Sequence, residues 1–359
     1  MSDTPHKLII RSPAGVKRLE VGDFEALAYS LRVNAPGSIQ VRLRGGHPAL
    51  SAIEPGGLVE VWRRGPAGWA RRIQCIADDE ERHLVERETV MFALQGVMAR
   101  LGWRHVAWPA NTAGKSAFAA TKAATIMWQL VRDNAGPGAL ASAGRLVDGV
   151  TPGLSVGSDP NAGPVLSWAC AAANLLTELQ KLQPLAGGDF DLVPTGPATW
   201  AWQFFPGQRG SDRSASVVFA VERGNVAQAR YALARSAGRT CVIVGGRGET
   251  ADRRFRVRLA SGHTAATHRE IFFDARNAAD TDAALDAQGD RVLDALTPRA
   301  VVSYDVIQTA SCRFGVDYDI GDLVRYQLFG LTGVQQVTGA AVSLTPNQPE
   351  QIRVELRDV

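Results

Sequence analysis

The sequence has 359 residues, 45% hydrophobic and 21% charged, with 39 basic residues against 36 acidic ones. That composition excludes wholesale disorder, and a net charge of +3 provides no basic field that would make nucleic acid or membrane the main partner. The length suits two or three packed units, and 36 Gly with 18 Pro indicate many turns and short strands rather than a helical bundle.

Met1 to Lys7 lacks the apolar run of a secretory signal. No stretch approaches the roughly 18 apolar residues of a membrane span. The expectation is a soluble chain made in a cytoplasm, with no stable membrane association. Alternation then predicts strands. Leu27, Tyr29, Leu31 and Val33 alternate with smaller or polar neighbours, Asn34-Ala35-Pro36-Gly37 turns the chain, and Ile39, Val41 and Leu43 alternate on the return. Gly56-Gly57 opens a strand from Leu58 to Trp62, Gly65-Pro66-Ala67-Gly68 turns it, and Ile73, Cys75 and Ala77 lead back. Val90, Phe92 and Leu94 give one more strand before a short helix through Val97, Met98 and Leu101. Antiparallel strands of this number and length make a small barrel or sandwich.

From Pro109 the character changes. Helical spacing runs from Phe118 to Val131 and ends at Asn134-Ala135-Gly136-Pro137. After a Gly/Pro/Ser-rich loop, a second helix is expected from Leu166 to Gln183, with Leu175, Leu176, Leu179 and Leu182 on one face and a stop at Pro184. Strands follow at Phe190, Trp200 to Phe204, Val217 to Val221, Cys241 to Val244 and Phe255 to Leu259. Asp280 to Leu296 reads as a third amphipathic helix ended by Pro298, and the residues from 301 on are β again. At a constant offset of 265, Gly56, Leu58, Val59, Gly65 and Gly68 match Gly321, Leu323, Val324, Gly330 and Gly333. Both segments read turn, strand, glycine turn, return strand, a pattern that fits a duplicated barrel with an insertion between the copies. The fold class expected is therefore α+β and β-rich, with two small related antiparallel β-barrels and α/β inserted domains. Residues 1–108 form the first barrel and 109–187 a helical insertion with the Gly/Pro-rich loop. Residues 188–300 form an α/β region lending strands to the second barrel, which 301–359 closes.

Chemistry-bearing patterns are sparse. Gly114-Lys115-Ser116 lacks the small residue that a phosphate loop needs five positions earlier, where Pro109 stands, so Ser116 reads as a helix cap. Gly153-Leu154-Ser155-Val156-Gly157 matches a nucleophile elbow, and Asp189 or Asp191 with His263 would complete a serine esterase in the right chain order. Thr151-Pro152 before it and Ser158-Asp159-Pro160-Asn161 after it do not supply the strand and helix that the elbow joins. Asp317, Asp319 and Asp322 could hold calcium but lack the EF-hand spacing. Arg63-Arg64 and Arg71-Arg72 beside Trp62 and Trp69 could meet nucleic acid, except that alternate strand residues face opposite sides. Trp103/Trp108 and Trp200/Trp202 could stack on sugar rings of a host surface, a second alternative, though core or interface packing accounts for them equally. Cys75, Cys170, Cys241 and Cys312 stand among apolar neighbours and read as buried free thiols, and the six His residues show no zinc-ligand spacing with them. No catalytic residue, cofactor or metal is expected.

The run Ser311-Cys312-Arg313-Phe314-Gly315-Val316-Asp317-Tyr318-Asp319-Ile320-Gly321-Asp322-Leu323-Val324 resembles the segment before the last barrel strands of tail-tip (baseplate) hub, or minor tail, proteins of long-tailed bacteriophages. Gly57-Leu58-Val59-Glu60-Val61-Trp62, Asp189-Phe190-Asp191-Leu192, Arg223-Gly224-Asn225-Val226 and Val244-Gly245-Gly246-Arg247-Gly248 look similar too. The resemblance implies two related barrels per chain and a homotrimeric ring of six barrels, joining a sixfold tail tube to a threefold fibre or spike. The implied partners are distal tail or tube proteins, the fibre or spike, and the tape-measure protein, with DNA only in transit through the lumen. It further implies a virion protein of the tail tip that acts by assembly and gating in genome ejection and is not an enzyme. Larger relatives append peptidase or fibre modules, and none is expected before Val359.

Overall fold

In the computed structural model, the first hundred positions form seven strands, and the alternating residues within 26–44 and 88–96 each bury one side-chain row. The structure describes residues 5–84, 88–233, 236, 238–248, 252–276, 281–297, 300–345 and 348–359. Met1 to Thr4 of the opening segment, Asp280 at the expected start of the third helix and Pro298 at its expected end lie outside them. The chain forms two compact units, one comprising the residues up to Ala227 and from Asp305 on, the other Gln228–Tyr304.

The first unit begins with β1 (His6–Arg11), β2 (Lys17–Val21), β3 (Ala26–Arg32), β4 (Ser38–Arg44) and the single turn α1 (Ala49–Ala52). Then come β5 (Leu58–Gly65), β6 (Gly68–Leu84), β7 (Glu88–Gly96) and the turn α2 (Ala99–Gly102). The hairpins β3–β4 and β5–β6 are those the alternation predicts. The unit continues with β8 (Ala117–Lys122), α3 (Ala123–Asn134), β9 (Leu154–Val156), β10 (Val165–Ala169), α4 (Leu175–Ala186), β11 (Gly188–Pro194), β12 (Trp200–Pro206) and β13 (Val218–Ala220).

Both helices start later than their spacing suggests. Residues 117–122 and 165–169 pair with each other as strands, removing the first turns expected of each helix. Ala120, at φ 46°, breaks the alanine-rich run that would otherwise favour helix. The carbonyls of Pro164 and Ala162 accept from the first N–H groups of α3, at 3.0 and 3.1 Å, so no side-chain cap is needed and Ser116 is not one. Asn174 caps α4 by accepting from Thr177 N at 3.1 Å. Pro184 does not stop α4, which runs two residues further to a left-handed Gly187. Ile126, Met127, Leu130 and Val131 of α3 and Leu175, Leu179 and Leu182 of α4 pack with Phe190, Leu192, Trp200 and Trp202 in one core. Burial of each such side chain contributes about 1.5–3 kcal/mol.

The second unit is entered along β14 (Val226–Leu233), which pairs with β18 (Ala300–Val306) where the chain leaves. Between them lie β15 (Cys241–Gly245), β16 (Phe255–Leu259), β17 (Glu270–Asp274) and α5 (Asp282–Leu296). The sheet order is β16-β15-β17, antiparallel then parallel. Leu285 and Leu293 of α5 cover Val242 and Val244 on one face. Arg256 and Arg258 clasp the helix through Asp286 and Asp290 at 2.7–2.8 Å.

Back in the first unit, β19 (Leu323–Leu328), β20 (Leu331–Leu344) and β21 (Gln351–Asp358) complete an 11-stranded sheet. Its pairing is an open path, β13-β19-β20-β3-β4-β7-β6-β5-β1-β2, with β21 on β20. The offset of 265 has a structural counterpart. Gly56 and Gly321, at φ 73° and 90°, each precede the first strand of a three-stranded meander, β5–β6–β7 and β19–β20–β21. In the first, Gly56 N donates to Ala77 O and Ala77 N to Gly57 O; in the second, Gly321 N donates to Val337 O and Val337 N to Asp322 O. Each middle strand shifts register just there, between Ile76 and Asp79 and between Val337 and Gly339. β20 fuses the halves: along one edge it pairs first with β19 and then, beyond the bulge, with β3, while β21 runs along the other edge.

Candidate functional site

One extended feature of the first unit is the outward side of β7–β4–β3–β20–β21. Leu27, Tyr29, Ile39, Val41, Phe92, Leu94 and Val342 point into the core, so their neighbours in sequence point outward. Register places Gln95, Ser38, Ser30, Ala341 and Arg353 in one row and Ala93, Gln40, Ala28, Ser343 and Gln351 in the next. Only small, amide or guanidinium side chains stand in these rows. Ser30 and Ser38 hydrogen-bond across the strands at 2.8 Å, and Arg32 reaches Glu355 at 3.1 Å. These two rows therefore present small and polar side chains to solvent and no large apolar one. β21 pairs only with β20 among the described strands, so its outer edge presents free backbone groups.

Three buried polar nodes hold this sheet to the rest of the unit. In the first, the fully buried Glu60 accepts from Trp62 Nε1 at 2.8 Å, Arg71 at 2.7 Å and Gln74 at 2.9 Å, with Arg11 3.2 Å away. Burial pushes its carboxyl up, but the hydrogen bonds from Trp62 and Arg71 and the adjacent Arg11 guanidinium outweigh that and hold it below the usual carboxylate range. Gln74 relays the node to β12 by accepting from Trp200 Nε1 at 2.7 Å.

In the second node, Arg72 grips Asp319 with two hydrogen bonds of 2.6 and 2.7 Å. Arg63 donates to Glu350 and to the Phe314 carbonyl, both at 2.6 Å. His6, with its side chain fully buried, lies 3.3 Å from Tyr29 Oη and from Glu350. Burial, then Arg63 and Arg72, lower its pKa from 6.5 to about 3. Glu350 does not reverse this because Arg63 already engages its charge. The third node is Asp189, 1% exposed, which accepts from Asn34 Nδ2 at 2.7 Å, Gln336 Nε2 at 2.6 Å and Arg209 N at 2.9 Å. It ties the β3–β4 turn and β11 to β20.

The chemistry-bearing residues of the sequence land elsewhere than catalysis would need. Ser155 is exposed on the short strand β9, its hydroxyl donating to Trp200 O at 3.1 Å, and a loop rather than a helix follows. Asp189 is occupied as above, and Asp191 pairs with Arg209 at 2.7 Å. His263 belongs to the second unit, its ring 2.7 Å from His268. Lys115 pairs with Asp133 at 2.9 Å and lies over Trp108. Asp317, Asp319 and Asp322 do not converge: Asp317 holds Arg313, Asp319 holds Arg72, and Asp322 accepts from Ser211 N and Asp319 N. Arg63, Arg71 and Arg72 are spent on the nodes. Of the two tryptophan pairs considered for sugar stacking, Trp108, Trp200 and Trp202 are buried and only Trp103 faces solvent, so neither pair forms a sugar platform. All four cysteines are buried and free. The linear spacing of Cys and His missed one cluster: Cys241, His268 and Glu270 converge in the second unit.

A family model described as Siphovirus ReqiPepy6 Gp37-like protein matches residues 9–356. Search of curated proteins finds no match. Among solved structures, a tail protein from Neisseria meningitidis MC58 is similar over 98% of this chain and 96% of its own, at 13% identity and TM-score 0.61. The 43 kDa tail protein of prophage MuSo2 from Shewanella oneidensis is similar over 98% of both chains, at 13% identity and TM-score 0.62. An E. coli component of the type VI secretion system, described as structurally similar to T4 tail proteins gp27 and gp5, is similar over 98% of this chain and 76% of its own, at 10% identity and TM-score 0.50.

Proposed function

The chain belongs to the Siphovirus ReqiPepy6 Gp37-like protein family, and from that premise we propose that it is a phage tail protein, the hub of the tail tip. Three copies form a ring in which the two fused meanders of each chain act as two barrel-like elements, six around the axis. The ring joins a sixfold tail tube to a threefold fibre or spike. The face of small and polar side chains on β7–β4–β3–β20–β21 lines its lumen, where the tape-measure protein and then DNA pass. The free edge of β21 pairs with a neighbouring subunit, and the role is assembly and gating in the virion, without bond chemistry.

The observation that carries this reading is the doubled meander, with equivalent hydrogen bonds at Gly56/Ala77 and Gly321/Val337, fused through one strand into a continuous sheet. Cryo-electron microscopy of an assembled tail tip tests it. Three copies, with their six meanders at one radius and Ser30, Gln40 and Ala341 facing the axis, are expected. A different copy number, or that face turned outward, overturns it.

A further inference from the structure

The second unit has a small core: Val242, Val244, Ala275, Leu285 and Leu293 are buried together, with Ala260, Ile271, Phe273 and Val292 only partly buried against them. A sheet of three short strands and one helix gains little from such a core, and units of this size are commonly stapled by a disulfide or a metal. No disulfide is present among the described cysteines. At the open end of the parallel pair β15–β17, however, Cys241 stands directly across from Glu270. The Cys241 thiol, a His268 ring nitrogen and a Glu270 carboxylate oxygen all lie within 4.8 Å of one another.

The geometry points to a binding site for one divalent transition ion of the zinc class, with Cys241, His268 and Glu270 as ligands and a water completing the tetrahedron. The donor set is the soft-to-borderline mixture such ions take. Bond lengths of about 2.0–2.3 Å place tetrahedral donors about 3.3–3.7 Å apart, so side-chain adjustments of about 1 Å suffice. His268 Nε2 already faces Glu270 at 2.8 Å, while its Nδ1 lies 2.7 Å from His263 Nε2. With Nδ1–H donated to His263, the Nε2 lone pair is turned toward the ion, the outer-shell arrangement that orients a metal-binding imidazole.

The loop carrying both histidines is already held in place. Thr264 and Thr267 cap each other. Thr240 Oγ1 donates to Thr267 O at 2.7 Å and accepts from Arg269 N at 3.0 Å. Binding expels the Cys241 proton to solvent, so affinity rises with pH. The ion would tie β15, β17 and this loop together where the core does not.

The test uses the full reduced chain, stripped with a chelator and titrated with Co(II). The expected result is one equivalent of cobalt per chain, giving a thiolate-to-cobalt charge-transfer band that Zn(II) abolishes by displacement. Cys241→Ser should remove the band. His268→Gln, at an exposed position that leaves the fold intact, should weaken binding at least about tenfold, and His263→Gln about 10- to 100-fold. Absence of the band in the wild-type chain overturns the inference. So does a band that survives Cys241→Ser, or an affinity unchanged by His268→Gln.

Discussion

Acidification should loosen the first unit through a single side chain, His6. Its ring is buried beside Arg63 and Arg72, with its pKa lowered from 6.5 to about 3, so the folded chain keeps it neutral where the unfolded chain protonates it. The unfolded state therefore binds more protons between those two values. The stabilisation is fully present above pH 6.5 and is lost as pH falls from 6.5 toward 3. Each unit in that window costs about 1.36 kcal/mol, so lowering pH from 7.5 to 5 removes about 2 kcal/mol through His6. All eight tryptophans lie outside residues 228–304, so tryptophan fluorescence during urea unfolding reports the first unit alone. Other groups titrate too, and comparison with His6→Gln isolates the effect. The stability gap between wild type and variant should narrow by about 2 kcal/mol over that pH interval. Parallel pH profiles, or an imidazole titration of His6 near 6.5 by NMR, would refute the reasoning, because either means the ring is charged or solvated in the folded protein.

Asp189→Ala leaves the Asn34, Gln336 and Arg209 donors without their acceptor and should cost about 2–4 kcal/mol by the same fluorescence assay; a cost under about 0.5 kcal/mol would show the node is dispensable. Gly321→Ala puts a methyl 2.8 Å from Gly210 N at φ 90° and should destabilise by about 1–3 kcal/mol. Gly56→Ala meets only Pro13 at 4.0 Å and should cost about 1 kcal/mol; the reverse order would contradict the packing described. Ser155→Ala should leave the background turnover of p-nitrophenyl acetate unchanged, and a tenfold loss would restore serine chemistry. Ala341→Trp, at an exposed position, should leave the isolated chain folded while tails built with it fail to eject DNA; normal ejection counts against a lumen-facing role.

The alternation of Leu27 to Val33 and Ile39 to Leu43, the Gly56 and Gly321 turns, and the leucine face at 175–182 determined their own elements, because each depends on residues close together in the chain. The repeated turn, strand, glycine turn and return strand were legible for the same reason, as residues recurring at one offset, while the third strand of each meander lay outside that repeat. Segments 117–122 and 165–169 were not: their residues suit helix, and only pairing with each other makes them strands. Nor could spacing reveal that β20 takes β19 and β3 along one edge, a partner choice set by a bulge and by which apolar row must be buried. The polar nodes show the same division. Asp189 and Arg72 looked free for catalysis or binding as isolated letters, and became structural because burying a charge requires a partner from a distant segment. Cys241 and Glu270 stand 29 positions apart in sequence, and the parallel pairing of two strands alone made them neighbours.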